Sequence, residues 1–276
     1  MGMGMGMGTG TGMRYSVRAF NTATASTNRI HDDEVARGLG FRGGLVPGVD
    51  VYAYLCHLPA ERWGAPWVEH GAMTARFRAP VYDGDLVELT GTPEGDGTLG
   101  IELRDSAGEL CAVGQASQAH QEPAPDVGEW PADQVPEEPP GVSAAVLQMN
   151  SLGQLVATFH ADQAGAYLDD VREVLPLFRE PEGPAHPAWL LRFANYVLSS
   201  NVRLGPWIHT ESTVQHWSAV HDGETMETRA LVTGVREQKG HELVDLDVLQ
   251  VVGGRVVART AHTAIYRLRG TGDTPD

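Results

Sequence analysis

The chain has 276 residues, 42% of them hydrophobic, enough for one large or two small domains with cores of their own. Its 36 acidic and 20 basic residues give a net charge of −16, which argues against a nucleic-acid partner, because phosphate binding needs a basic face. No apolar run approaches the ~20 residues of a membrane helix, so no membrane partner is expected. Cys56 and Cys111 are too few for a disulfide framework, have no metal spacing, and read as buried thiols of a reducing, cytoplasmic compartment.

In chain order, residues 1–13 (MGMGMGMGTGTGM) lack the basic and apolar regions of a secretory signal and read as a disordered Gly/Met tail or a mis-start before Met13. A first unit is expected over 14–120. It opens with Tyr15–Phe20, followed by a polar segment with Ser26, Asn28 and His31 and a short helix from Asp32 to about Gly38. A turn with Gly40, Gly43 and Gly44 then leads through Pro47-Gly48 into an apolar helix from Val49 to about Leu58, with Val49, Tyr52, Ala53 and Cys56 at helical spacing. Strands are expected at Trp67–Arg78, Leu86–Thr92, Leu99–Arg104 and Leu110–Ala119. Residues 121–141 hold six prolines, six acids and no basic residue, the composition of an extended, solvated linker. A second unit over 142–269 is expected to repeat the first, with a helix from Ala188 to about Ser199. Its strands are expected at Trp207–Ala219, Met226–Val235, Glu242–Val251 and Arg255–Arg267, with a tail at 270–276.

The repeat is legible at a nearly constant offset. Leu155–His160 echoes Tyr15–Phe20, Pro187 echoes Pro47 and Gly205-Pro-Trp-Ile208 echoes Ala65-Pro-Trp-Val68, each at 140; Asp222-Gly-Glu224 echoes Asp83-Gly-Asp85 at 139. Near Ile30-His31-Asp32-Asp33 the second copy has Tyr167-Leu168-Asp169-Asp170, which keeps the acids but not the histidine. One site, centred on the first half, is therefore expected.

The segment Asn28–Val49 resembles the signature of the MaoC-like (R)-specific enoyl-CoA hydratases and dehydratases. Asn28 and His31 stand in the Asn and His places, Gly40-Phe41 in the Gly-Phe place, and Gly48 at the glycine whose N–H the family uses as oxyanion donor. Three positions depart: Arg29 stands for the usual Pro, Pro47 for a His, and Ser26 for the catalytic Asp five residues before the histidine. The resemblance implies a double hot-dog α+β fold, two antiparallel sheets each wrapped around a central helix, forming a pseudo-dimer within one chain, with the degenerate half lending the acyl groove.

It also implies a lyase acting on an acyl-CoA or acyl-carrier thioester, as a possible homodimer of pseudo-dimers. His31, Asn28, Gly48 and Ser26 are the expected catalytic group, because a histidine can move a proton and a helix-start N–H can polarise a carbonyl. Asp50, Arg42, Pro47 and His186 are expected to contact substrate, and Arg37, Arg42, Arg76 and Arg78 are candidates for coenzyme A phosphates. Asp32 and Asp33 read as helix-start acids. His57, His70, His209, His216 and His262 have no metal spacing, and no HExxH, Walker loop, GxSxG elbow or paired CxxC occurs, so no cofactor is expected. Two alternatives share the fold: a thioesterase with His31 or Asp50 activating water, and a non-catalytic binder of an acyl or other apolar ligand.

Overall fold

A computed structural model describes residues 12–271 except 96, 121 and 150. Most of the N-terminal tail (1–11) and the last residues (272–276) lie outside that set, while Met13 opens the first strand rather than ending a tail. The first half runs β1 (Met13–Arg18), α1 (Asp33–Gly38), α2 (Gly48–Trp63), α3 (Ala65–His70), β2 (Ala72–Phe77), β3 (Leu86–Pro93), β4 (Thr98–Asp105) and β5 (Leu110–Ser117). The second runs α4 (Ala144–Leu147), β6 (Ser151–Thr158), α5 (Ala161–Asp170), α6 (Pro187–Asn201), β7 (Ile208–His216), β8 (Thr225–Gln238), β9 (His241–Val252) and β10 (Arg255–Arg267).

The halves share one sheet. Its strand order is β1-β3-β4-β5-β2-β7-β10-β9-β8-β6, every pairing is antiparallel, and the junction is β2 against β7, from Ala72↔Gln215 to Arg76↔Glu211. The pseudo-dimer is thus ten continuous strands, with the long helices of both halves packed together against them. Every residue of α2 from Val49 to Ala60 is buried, as in a helix enclosed on all sides. α2 runs past the expected Leu58 with Ala60 buried and Trp63 packed against the core, while Glu61 and Arg62 of the last turn are exposed.

Two expectations are corrected. Trp67 does not begin a strand, because Gly64 turns the chain at φ +64° and Pro66 starts a new helical turn; the strand begins only at Ala72. The acidic linker is not simply solvated. Trp130 is buried against Leu249, Val251 and Val256, its Nε1–H donates to the Asp247 carbonyl (3.1 Å), and the Arg259 guanidinium lies 5.1 Å over its ring. A single aromatic anchors an otherwise polar tether to the sheet.

Candidate functional site

The site grows from the polar segment before α1. Asn28 caps the short 3-10 turn Arg29–His31 by accepting from the Ile30 N–H, and the turn presents the His31 ring inward. Asn28 also exchanges two hydrogen bonds with the second half: its Nδ2 donates to the Trp207 carbonyl (3.0 Å), and its Oδ1 accepts from the Trp207 N–H (3.2 Å). This reciprocal amide pair fastens the histidine loop to the start of β7.

His31 is held from both sides. Its Nδ1 lies 2.7 Å from the Leu45 carbonyl, which can only accept, so the neutral ring carries its proton there. Nε2 is left with its lone pair, 3.3 Å from the Asn28 amide nitrogen. Burial pushes the His31 pKa below its ordinary value; the Leu45 carbonyl and the Asp50 charge oppose that fall without cancelling it. A neutral imidazole with a basic nitrogen at neutral pH follows.

Beside it, α2 starts at Gly48 after Pro47, and no side chain caps that end. Its first N–H groups therefore keep hydrogen-bonding capacity. Glycine is required here for a second reason: a Cβ would sit 2.9 Å from Nδ1 of His209, whose ring fills the space. His209 belongs to β7, packs edge-on against Phe77 (4.8 Å), and is tied through Ser212 Oγ (2.8 Å) to His262 Nδ1 (2.9 Å). Burial pushes the His209 and His262 pKa values down, that of His262 to about 3. Neutral rings pack where charged ones would not.

Asn28, His31, Pro47, Asn195 and Trp207 stand between two cavities. The first, about 130 Å³, is walled by Ile30, Leu45, Val51, Phe77 and Val81, with Gly48 and His209. The second, about 360 Å³, is polar and includes Thr22, Ser26, Thr27 and Arg192. One side of His31 is thus mostly apolar and the other polar. Ser26 accepts from the Asn28 N–H (3.1 Å) and lines the polar side, with its hydroxyl proton available to a water. The place related by the internal repeat is filled: around Pro187 (187 − 47 = 140) and Val220 (220 − 81 = 139) no room is left for a water-sized group.

Four of the eight expected residues, His31, Asn28, Gly48 and Pro47, meet at the first cavity. Three expected substrate contacts lie elsewhere. Asp50 is fully buried and faces α6, where its carboxylate takes Arg192 Nη2 (2.7 Å) and the Thr22 hydroxyl (2.6 Å). Arg42 is on the outer side, paired with both oxygens of Asp85 (2.6 Å each) and lying over the Tyr82 ring. His186 is buried at the start of α6, where its Nδ1 accepts from the Ala188 N–H and its Nε2 faces Glu173 at 3.7 Å. Burial alone would raise the Glu173 pKa, but His186 and His57 outweigh it and hold the carboxyl below the usual carboxylate range. His186 therefore belongs to an ionic core between the halves. Sequence reading missed Asn195, Arg192 and His209, each supplied by the second half.

No family model matches the sequence, and no curated protein does. Solved structures match the fold over nearly the whole chain. A MaoC-domain protein assigned as a dehydratase, from Chloroflexus aurantiacus, superposes with a TM-score of 0.66 at 10% identity, covering 95% of this chain and 96% of its own. A double hot-dog protein of Mycobacterium tuberculosis gives 0.57 at 13% (94% and 96% covered). A protein assigned as a thioesterase, from Novosphingobium aromaticivorans, gives 0.54 at 14% (92% and 96% covered). At such identities the likeness establishes the architecture alone.

Proposed function

We infer, for a chain that carries the double hot-dog fold of the MaoC-like dehydratases, that it adds water across, or removes it to form, the α,β double bond of an acyl thioester. The observation that carries this reading is the pairing of a neutral histidine, its Nε2 lone pair facing the Asn28 amide between an apolar and a polar cavity, with the uncapped start of α2 at Gly48.

In the hydration direction the thioester carbonyl lies against the Gly48 N–H, which stabilises the oxygen as it gains enolate charge. A water from the polar side, oriented by Ser26, gives a proton to His31 Nε2 while its oxygen bonds Cβ and the C=C π bond breaks. The imidazolium then returns that proton to Cα, and the histidine ends neutral. One residue moves the proton both ways, so the serine in the usual carboxylate place does not break the cycle. Asn28 orients His31 through the Nδ2–H it gives to Nε2 at 3.3 Å, a contact the incoming water displaces, while its amide stays tied to Trp207 and Ile30. The apolar cavity, about 130 Å³, is close in size to the ~150 Å³ pocket that holds benzene, which favours short acyl groups of about four to six carbons.

The test is crotonyl-CoA with enoyl absorbance and free thiol followed together. The expected result is enoyl loss without thiol, reduced ~10²–10⁴-fold in His31→Ala. Thiol release in step with substrate loss moves the protein to the thioesterases. Full activity in His31→Ala overturns the mechanism, and binding without turnover of any thioester supports the non-catalytic reading.

A further inference from the structure

The hydration step above sets one N–H, that of Gly48, against the thioester carbonyl. The second half places another polar group beside it. His209 is buried in the wall of the apolar cavity with Gly48 and His31, and its Nδ1 has no hydrogen-bond partner among the described residues. The β-bulge at Thr210 brings it there: a regular strand would set His209 and Ser212, three apart, on opposite faces. Buried side-chain polar atoms are seldom left unpaired, so a free ring nitrogen at a cavity wall marks a place for a ligand atom.

The groups behind the ring assign its proton. Nε2 of His209 and Nδ1 of His262 both lie against Ser212 Oγ, at 2.8 and 2.9 Å. Burial and the facing His262 ring keep His209 neutral, although the Glu211 carbonyl favours a proton on it, and burial keeps His262 neutral. Each ring then has one N–H, and the hydroxyl has one proton to give. Two orders satisfy both contacts. In the first, His209 Nε2–H donates to Ser212, Ser212 donates to His262 Nδ1, and the spare N–H is His262 Nε2–H, buried with no acceptor. In the second, His262 Nδ1–H donates to Ser212, Ser212 donates to His209 Nε2, and the spare N–H is His209 Nδ1–H at the cavity. Orphaned buried N–H groups are rarer than unmet acceptors. That selects the second order, whose spare donor a bound carbonyl can satisfy.

The Gly48 N–H is within reach of the same carbonyl. A Cβ on Gly48 would sit 2.9 Å from His209 Nδ1. The Gly48 nitrogen is ~2.5 Å from that Cβ position by standard bond geometry, so the two nitrogens are at most about 5.4 Å apart. One oxygen accepts from donors up to about 5.8 Å apart, twice the ~2.9 Å of an N–H···O bond.

We propose that His209 Nδ1–H is a second donor to the thioester carbonyl, beside the Gly48 N–H, which makes His209 a catalytic residue supplied by the second half. The proposal rests on the acyl-thioester reading above. The carbonyl oxygen has two lone pairs, one for each donor, and both bonds strengthen as it gains enolate charge. The proton stays on His209 throughout; a neutral imidazole polarises a carbonyl without giving its proton up.

The test reads the carbonyl itself. Butyryl-CoA, whose saturated chain cannot be hydrated, is bound to the full chain with its thioester carbonyl isotope-labelled, and the C=O stretch is followed by infrared difference spectroscopy. His209→Phe keeps an aromatic ring in the packing, and His209→Asn puts an amide N–H near the Nδ1 position. The stretch is expected at lower frequency in wild type than in His209→Phe. For crotonyl-CoA, kcat is expected to fall roughly 10²–10³-fold in His209→Phe with KM near wild type, and both readouts to recover in part in His209→Asn. Nitrogen NMR of the wild-type butyryl-CoA complex, assigned by the signal lost in His209→Asn, is expected to show Nδ1 protonated; it decides alone if His209→Phe does not fold. A bare Nδ1 in that complex, no binding of butyryl-CoA, an equal stretch in His209→Phe or an undiminished kcat there overturns the proposal. A carbonyl shift that depends on His209, without hydration of any enoyl thioester, sinks the hydratase reading and leaves the donor standing.

Discussion

Replacing Arg192 by methionine tests whether the halves are locked by the ion pair between α2 and α6. Asp50 is fully buried and Arg192 Nη2 approaches it at 2.7 Å. At an effective dielectric of ~20 the gross attraction is 332/(20 × 2.7), about 6 kcal/mol, most of it offset by desolvation of the two ions. Methionine preserves packing against Tyr167 but leaves the carboxylate only the Thr22 hydroxyl, so a loss of about 3–5 kcal/mol is expected. Asp50→Leu should cost less. Arg192 keeps 18% of its side chain exposed and lines the polar cavity, where water can take over its solvation. The double variant, which removes both charges, should recover much of the loss and give a coupling energy of about 2–4 kcal/mol in urea unfolding at pH 7. A single-variant loss below ~1 kcal/mol, or additive singles, would refute the lock.

Gly48→Ala should destabilise by about 1–3 kcal/mol through overpacking, since its Cβ would lie 2.9 Å from the His209 ring; the penalty should vanish in a His209→Ala background, and denaturant midpoints report both. His216 titrates normally near 6.5 when unfolded, while burial lowers it to about 4 in the fold. Between those values the unfolded chain binds the extra proton, so stability should fall as pH drops, by about 3 kcal/mol from this residue in all. His216→Phe should flatten that slope in pH-dependent melting. Trp130→Ala should cost about 3–5 kcal/mol; a loss under ~1 kcal/mol in thermal unfolding would show that the linker is not an anchor. Because His31 acts as a base with a lowered pKa, crotonyl-CoA hydration should persist below pH 6.5 and decline only at more acid pH; a decline already complete at pH 6.5 would contradict its burial.

The architecture was legible because it is written twice. Pro47 and Pro187, 140 apart, open α2 and α6 within one residue of each helix start, and the strand order after each helix followed the same rhythm. His31, Asn28 and Gly48 were legible because they fall on one short signature-like stretch, residues 28–48. What local sequence could not show was the rotation of α2, which turns Asp50 toward Arg192, 142 residues away. Nor could a two-residue period show that His209 and Ser212, three apart, share a face. A β-bulge at Thr210, where Glu211 pairs Thr263 and His209 pairs Ala264, resets the alternation. The signal for the linker anchor was present: Trp130 is the lone aromatic among prolines and acids.

The lost histidine of the second half and the departures at Ser26 and Pro47 have a common physical sense. A symmetric pseudo-dimer would place two equivalent cavities at the helix starts, but the second copy has Ala188 where the first has Gly48 (188 − 48 = 140) and His216 where the first has Phe77 (216 − 77 = 139), and its space is filled. The second half instead frames the first cavity. Trp207 fixes the His31 loop through Asn28, His209 fills the face of Gly48, and Arg192 neutralises Asp50. Those three residues come from a stretch of 18 residues (209 − 192 + 1) that runs from the first half of α6 to the start of β7. With a frame that rigid, a single neutral histidine keeps a fixed direction without a partner carboxylate to orient it, because the Leu45 carbonyl already sets its tautomer.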